Sequence, residues 1–279
     1  MEFRILGPVE LVGDGATRLA GVKQRTLLAA LLLAGGRVLS DALLKNRLWG
    51  TDPPATVTAQ LYAHVSELRK RLPAGVRLER RSPGYRLDIG DVTLDWHLFR
   101  RLAGRGLAGL ADGRHAQAAE DLTAALELRR GPALAGVTEQ LVDAEGPFIE
   151  EAYTAALESR IDADLALGRH TSLVPELVRL VAENPVRERL RGQLMTALHR
   201  CGRKADALAV YAESRRVLRE ELGMDPGHDL RRLHQAVLTD SLAGPEAAER
   251  ITLTGPPAPS DDADHPAIPH ADHPATPHA

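Results

Sequence analysis

Between residues 54 and 87 the chain spaces polar, basic and small side chains as contact with a polyanion requires. Val57, Leu61, Val65, Leu68 and Leu72 recur every three or four residues, which predicts a helix over Pro54–Leu72 with one core-facing stripe. The opposite face then carries Ala59, Tyr62, Ala63, Ser66 and Lys70, flanked by Glu67 and Arg69. An α-helix fits the major groove of B-DNA, where hydroxyl, amine and guanidinium groups bond to base edges and phosphates. Alanines let such a helix come close. Val76–Arg80 and Tyr85–Ile89 alternate as strands about Arg81-Ser82-Pro83-Gly84, a hairpin with a basic tip. Arg80, Arg81 and Arg86 on that hairpin are placed to reach an adjacent minor groove or phosphates.

The elements that must position these groups are short. Phe3–Leu6, Val9–Val12 and Thr17–Leu19 read as strands, with Gly7-Pro8 and Gly13-Asp14-Gly15 as turns. A helix should run from Val22 to Ala34, where Gly35-Gly36 stops it. Ser40 or Asp41 caps a second helix ending near Trp49-Gly50, and Pro53-Pro54 opens the third. Trp49 and Tyr85 are core residues on this reading. On charge alone the third helix equals any amphipathic helix with a solvated basic end. Strands, three helices and a basic hairpin in that order describe a winged helix-turn-helix.

From Leu94 to about Leu242 the period is helical and the sequence repeats. Gly113-Arg114-His115, Gly168-Arg169-His170 and Gly202-Arg203-Lys204 each separate two apolar helices, and Pro132, Pro185 and Pro226 close the units. Such units resemble tetratricopeptide repeats, although the first two are separated by a long loop at Gly131–Glu139 and a long helix from Leu141 to Leu167. The tail from Gly244 is rich in Pro, Ala and Asp and duplicates ADHPAIPH as ADHPATPH, a composition that predicts disorder. The fold class is therefore mainly α. An N-terminal winged helix (α+β, 1–93) precedes an all-α tetratricopeptide-like domain (94–243) and a disordered tail (244–279).

Composition narrows the function further. Residues 1–90 carry 14 Lys/Arg against 8 Asp/Glu, whereas residues 91–243 carry 20 against 24. A basic head on an acidic body suggests that the head meets the polyanion. One cysteine, Cys201, excludes an intrachain disulfide and any cysteine-cluster metal site, and it reads as a small packed residue. The chain start lacks a signal-peptide pattern, and the longest apolar run, Leu27–Ala34, is too short to span a membrane. A cytoplasmic, nucleoid-associated protein is expected. No Gly-Lys dipeptide occurs, so there is no Walker A loop. Glu150-Glu151 and Glu220-Glu221 read as solvated surface pairs. No enzymatic activity, metal or cofactor is expected. His265, His270, His273 and His278 read as part of a repeat-expanded tail rather than as ligands.

Six blocks carry a family resemblance. Leu68-Arg69-Lys70-Arg71-Leu72 followed by Arg81-Ser82-Pro83-Gly84-Tyr85-Arg86-Leu87 resembles the end of OmpR-type winged-helix domains. Lys23–Ala29, Leu48-Trp49-Gly50, Asn184-Pro185-Val186-Arg187-Glu188 and Gly202–Leu208 through Glu221–Pro226 narrow the likeness to the Streptomyces antibiotic regulatory protein family, over about residues 2–242. The resemblance implies an activator of antibiotic biosynthesis genes. It would bind direct repeats in promoter DNA beside a second copy of itself and recruit RNA polymerase. It also implies a recognition helix at Pro54–Leu72, a wing at Arg77–Leu87 and an arginine, Arg81, in the minor groove. Ser66-Glu67 departs from the Arg-Arg of many OmpR-type helices. The competing reading is a helical-repeat scaffold or ligand sensor with little DNA binding, which the cluster Arg69-Lys70-Arg71 with Arg80-Arg81 argues against.

Overall fold

Where each element begins and ends follows from local chemistry at its edges. The computed structural model describes residues 1–13, 19 and 21–242. These form β1 (Glu2–Arg4), β2 (Glu10–Val12), α1 (Val22–Leu33), β3 (Leu39–Ser40), α2 (Asp41–Trp49), α3 (Val57–Arg71), β4 (Arg77–Arg81), β5 (Gly84–Asp88) and β6 (Thr93–Leu94). The helices α4 (Asp95–Ala111), α5 (His115–Leu126), α6 (Glu139–Ala166), α7 (His170–Glu183), α8 (Glu188–Arg200), α9 (Lys204–Leu222) and α10 (His228–Leu238) follow. The expected strand at Thr17–Leu19 and the tail from Gly244 fall largely or wholly outside the described residues.

Two small sheets frame the head. One has the order β2-β1-β6, with Phe3 facing Leu11 in an antiparallel pair and Leu94 in a parallel one. The other, β3-β5-β4, contains the expected hairpin, closed by Ser82-Pro83 between Arg81 and its partner Gly84. Gly84 has a steric reason. A Cβ there would lie 1.7 Å from the Leu39 carbonyl oxygen, because β3 crosses directly against β5.

Most boundaries shift by one or two residues from expectation, and those of β1 and α3 have identifiable causes. Strand β1 stops at Arg4 because the next two amides, Ile5 and Leu6, donate to the Asp95 carboxylate instead of a strand partner. Helix α3 begins at Val57, not Pro54. Prolines disfavour helical geometry in the residue before them, and the Pro54 carbonyl closes a turn by accepting from Val57 N–H at 2.9 Å. It ends at Arg71 because Leu72, before Pro73, is extended. Ser40 caps α2 as expected, its hydroxyl accepting from Leu43 N–H at 3.2 Å.

The helical part contains three hairpins, α4/α5, α6/α7 and α8/α9, turning on Gly113, Gly168 and Gly202 at φ of +72, +76 and +75°. In each, the arginine after the glycine sends its N–H back five residues: Arg114 to Gly109, Arg169 to Asp164 and Arg203 to Leu198. That is a Schellman closure, which needs a left-handed residue where the glycine stands.

The irregular stretch between α5 and α6 returns to the head. Arg130 N–H donates to Leu6, Leu134 to Ile5 and Ala135 to Gly7, while Val9 donates to Ala135. Leu134 adopts φ +60° with its side chain fully buried. A leucine holds that unfavourable conformation only where packing over-determines it. The Thr138 amide donates to the Thr26 hydroxyl at 2.9 Å, and the Thr138 hydroxyl to the Arg47 carbonyl at 2.6 Å. Arg25 reaches the Gly136 carbonyl at 2.7 Å, and Arg47 pairs with Glu145. One apolar core accordingly runs from Phe3 through Leu61 and Phe99 to Ile149 and Ala156, continuous across residue 93. A second core, Ile161 to Val237, holds α7–α10.

Asp95 is fully buried and accepts from Ile5 N–H at 2.9 Å, Leu6 N–H at 3.0 Å and Arg130 Nη2 at 3.0 Å. Removing one member of such a buried charged network leaves donors without acceptors. Asp95→Ala should therefore cost about 3 kcal/mol or more of unfolding free energy in urea titrations. A loss below about 1 kcal/mol would mean that water replaces the carboxylate.

Candidate nucleic-acid interface

Helix α3 buries Leu61, Val65 and Leu68 and exposes the other side. Ala59, Tyr62, Ala63, Ser66 and Lys70 all lie on that exposed side, with Tyr62 45% accessible. The helical stripe read from the sequence is thus present, with Val57 and Leu72 half-buried at its ends. Thr58 belongs to the same face and escaped the sequence reading. It is exposed and accepts from Lys45 Nζ of α2 at 2.8 Å. Counting back four residues from Tyr62 reaches it, but its lysine partner lies in another element.

Glu67 is turned toward the helix's C-terminal cations. Arg71 donates to it at 2.9 and 3.1 Å, and Lys70 lies 3.5 Å away. The Arg71 hydrogen bond holds the Glu67 carboxyl below the usual carboxylate range. Its charge is thus largely matched within its own helix.

The hairpin's arginines divide by environment. Arg81 is exposed at the end of β4 and, among the described residues, pairs with its strand neighbour Glu79 at 2.8 Å. Arg86 is exposed on β5, opposite Glu79 in the register. Arg80 is also exposed but is tethered. Its Nη1 donates to Asp41 of α2 at 2.6 Å, and its guanidinium lies over the Tyr85 and Tyr62 rings at 4.7 and 5.8 Å. Arg69 bridges α3 to the hairpin, its Nε donating to the Leu78 carbonyl at 2.8 Å and its guanidinium 5.8 Å from the Tyr85 ring. Tyr85 is buried and Trp49 is packed against the same core, the places the sequence predicts.

Other singled-out residues lie elsewhere. Cys201 caps α8, half-buried, with Sγ 3.7 Å from the Thr171 hydroxyl. Glu150 and Glu151 are not merely solvated: Arg129 binds the first at 2.7 and 2.8 Å, and Arg187 the second. Glu220 pairs with Arg216. The described residues hold no cluster of His, Cys, Asp and Glu able to bind a metal, and no helix among them is long and apolar enough to cross a membrane. The tail histidines lie outside the described residues.

Comparison with known proteins places the chain among transcriptional regulators. Residues 94–238 match the bacterial transcriptional activator domain, and residues 18–87 match the C-terminal domain of transcriptional regulatory proteins. The regulatory protein DnrI of Streptomyces peucetius is 33% identical over 273 residues, covering 93% of this chain and 97% of DnrI. The regulatory protein AfsR of Streptomyces coelicolor is 41% identical over 256 residues, 91% of this chain but 25% of AfsR. The chain thus spans about a quarter of the length of AfsR. The structure of Mycobacterium tuberculosis EmbR in complex with a low affinity phosphopeptide superposes with a TM-score of 0.81 at 34% identity, covering 90% of this chain and 68% of that one.

Three histidines with lowered pKa values should make the fold acid-sensitive. Burial lowers the pKa of His64, against Trp49 and near Lys23, of His97, and of His234, which stacks on Tyr211. Each folded value lies below the ordinary 6.5, so the unfolded chain takes up protons first. Stability should be complete above about pH 6.5 and decline as pH falls through that value. Urea midpoints at pH 7.5 and 5.5 check this, and His64→Gln should flatten part of the slope. Equal midpoints would contradict it.

Proposed function

Because the chain belongs to the Streptomyces antibiotic regulatory protein family of transcriptional regulators, we propose that it is a sequence-specific DNA-binding activator of secondary-metabolite genes. Helix α3 enters the major groove with Thr58, Ala59, Tyr62, Ala63, Ser66 and Lys70 toward the bases and phosphates. The hairpin follows as a wing, with Arg81 in the minor groove and Arg86 beside the backbone. Arg69 and Arg80 stand at the seam between helix and wing. The observation that carries this reading is the single uninterrupted exposed face of α3, small at its centre and basic at its C-terminal end.

The division of labour follows the charge. Residues 1–93 hold the DNA and residues 94–243 face other proteins. In the helical part, Arg187 joins Glu151 and Glu158, and Arg160 joins Asp164 and Glu176. Cations neutralised within the body leave the net positive field at the head. The body contacts RNA polymerase and a second copy seated on the adjacent direct repeat, in the cytoplasm at the nucleoid. Side-by-side copies on direct repeats meet head to tail, so their contact is heterologous and need not persist without DNA.

Two experiments test this. Arg81→Ala should weaken binding to all sequences and reduce the log–log salt slope by about 1, whereas Ser66→Ala should change preference at one or two base pairs by roughly 1–3 kcal/mol. The reverse pattern would exchange the roles of helix and wing. The whole chain should sediment as a monomer and assemble cooperatively on a two-repeat site in footprinting titrations. Equal, independent filling of the two repeats would remove the second copy from the account.

A further inference from the structure

Arg80 does not stand as a phosphate-binding arginine stands. Its guanidinium lies 4.7 Å over the ring of Tyr85, which is 5% exposed, and 5.8 Å from the ring of Tyr62, the exposed aromatic of α3. Its Nη1 is held by Asp41 at 2.6 Å. Asp41 is itself fixed: it opens α2, and its N–H donates to the Pro83 carbonyl in the hairpin turn at 3.2 Å. Burial of Tyr85 anchors one side of the stack, and Asp41 anchors its edge. Tyr62 is the exposed member of the stack.

A guanidinium is planar, so it can stack on aromatic faces while donating in its own plane. Here the in-plane donor is directed at a carboxylate, and the positive charge is matched before any DNA arrives. Arg81, one residue on, has no such arrangement: its pair is Glu79, two residues back on the same strand. A tyrosine on an exposed helix face has several accessible rotamers. A cation fixed beside its ring selects among them and so sets where its hydroxyl is presented.

We infer that Asp41 and Arg80 are positioning residues for Tyr62, so that base preference under Tyr62 depends on a carboxylate in α2 that does not itself reach the DNA. The inference rests on the reading that α3 enters the major groove. It makes α2 a contributor to sequence choice, and it separates Arg80 from Arg81, which on charge alone are equivalent.

The test is selection from a randomised duplex library by the whole chain, wild type against Asp41→Asn, Arg80→Lys, Tyr62→Ala and the double variant Asp41→Asn/Tyr62→Ala. Asp41→Asn and Arg80→Lys should each change the affinity ratio at the same one or two base pairs by about three- to tenfold, leaving the remaining positions unmoved. In the Tyr62→Ala background, Asp41→Asn should change nothing further. Arg80→Lys keeps the charge, so it also carries the test should Asp41→Asn lower the melting temperature enough to obscure binding. A uniform rise in affinity with Asp41→Asn would mean that the carboxylate acts only by repelling phosphate, and the inference falls. An equal shift with and without Tyr62 overturns it too, as does an unchanged preference in Arg80→Lys. A wild-type chain that enriches no sequence overturns the groove reading and this inference with it. Enrichment by wild type with unmoved variants overturns the inference alone.

Discussion

The carboxylate of Asp95 organises the junction on which the rest of the molecule depends. It opens α4, where the helix N-terminus favours an anion, and it receives the Ile5 and Leu6 amides and the Arg130 guanidinium in one buried cluster. Taking a carboxylate out of water is costly unless its lone pairs are filled, and here three donors fill them. The result ends β1, starts α4 and draws in the loop before α6. From that loop, Gly136 and Thr138 reach Arg25, Thr26 and Arg47 on α1 and α2. The orientation of α3, which packs on α1 and α2, thereby depends on a loop that follows α5, far along the chain from α3 itself.

This explains why some of the blocks that carry the family resemblance serve packing. In Lys23-Gln24-Arg25-Thr26, Arg25 and Thr26 hold the loop at Gly136–Thr138, and Lys23 lies 5.4 Å over the Trp49 ring. In Asn184-Pro185-Val186-Arg187-Glu188, Arg187 ties Glu151 and the buried Glu158 of α6, and Glu188 accepts from Gly227 N–H before α10. The side chains offered on the exposed face of α3 are, by contrast, small or uncharged over most of its length.

Periodic features were legible in the sequence because their cause is local. The three-and-four stripe of α3, the glycine turns at 113, 168 and 202 and the hairpin at Ser82-Pro83 each follow from residues within one turn or one strand pair. The features that were not legible depend on distant partners. The start of α3 at Val57 required knowing that Pro54 would close a turn. The early end of β1 required Asp95, and the tether on Arg80 required Asp41, 39 residues earlier. The long loop before α6 reads as a break in the repeats. Its buried, left-handed Leu134 shows it to be a clasp on the head. Of the candidate site, the exposed helix face was visible in the pattern, while the distinction between Arg80 and Arg81 was not, since two adjacent arginines on a strand carry no local signal of which is held.

A flexible linker between a DNA-reading head and a helical body would let the two rotate independently. Here β6 ends at Leu94 and α4 begins at Asp95, and the apolar core from Phe3 to Ala156 crosses that point without interruption. The residues that join head to body also form the buried cluster around Asp95, so separating them would expose Leu94, Trp96 and Phe99 to water along with unpaired amides. That opening costs too much to serve as a routine motion. Helices α4–α6, which share this core, are held to the head, so under the proposed function a contact they made would have a fixed bearing relative to α3. Under that proposal, coupling between a neighbouring protein and the DNA would require no internal switch: geometry would carry it, through a seam whose donors and acceptors are already paired.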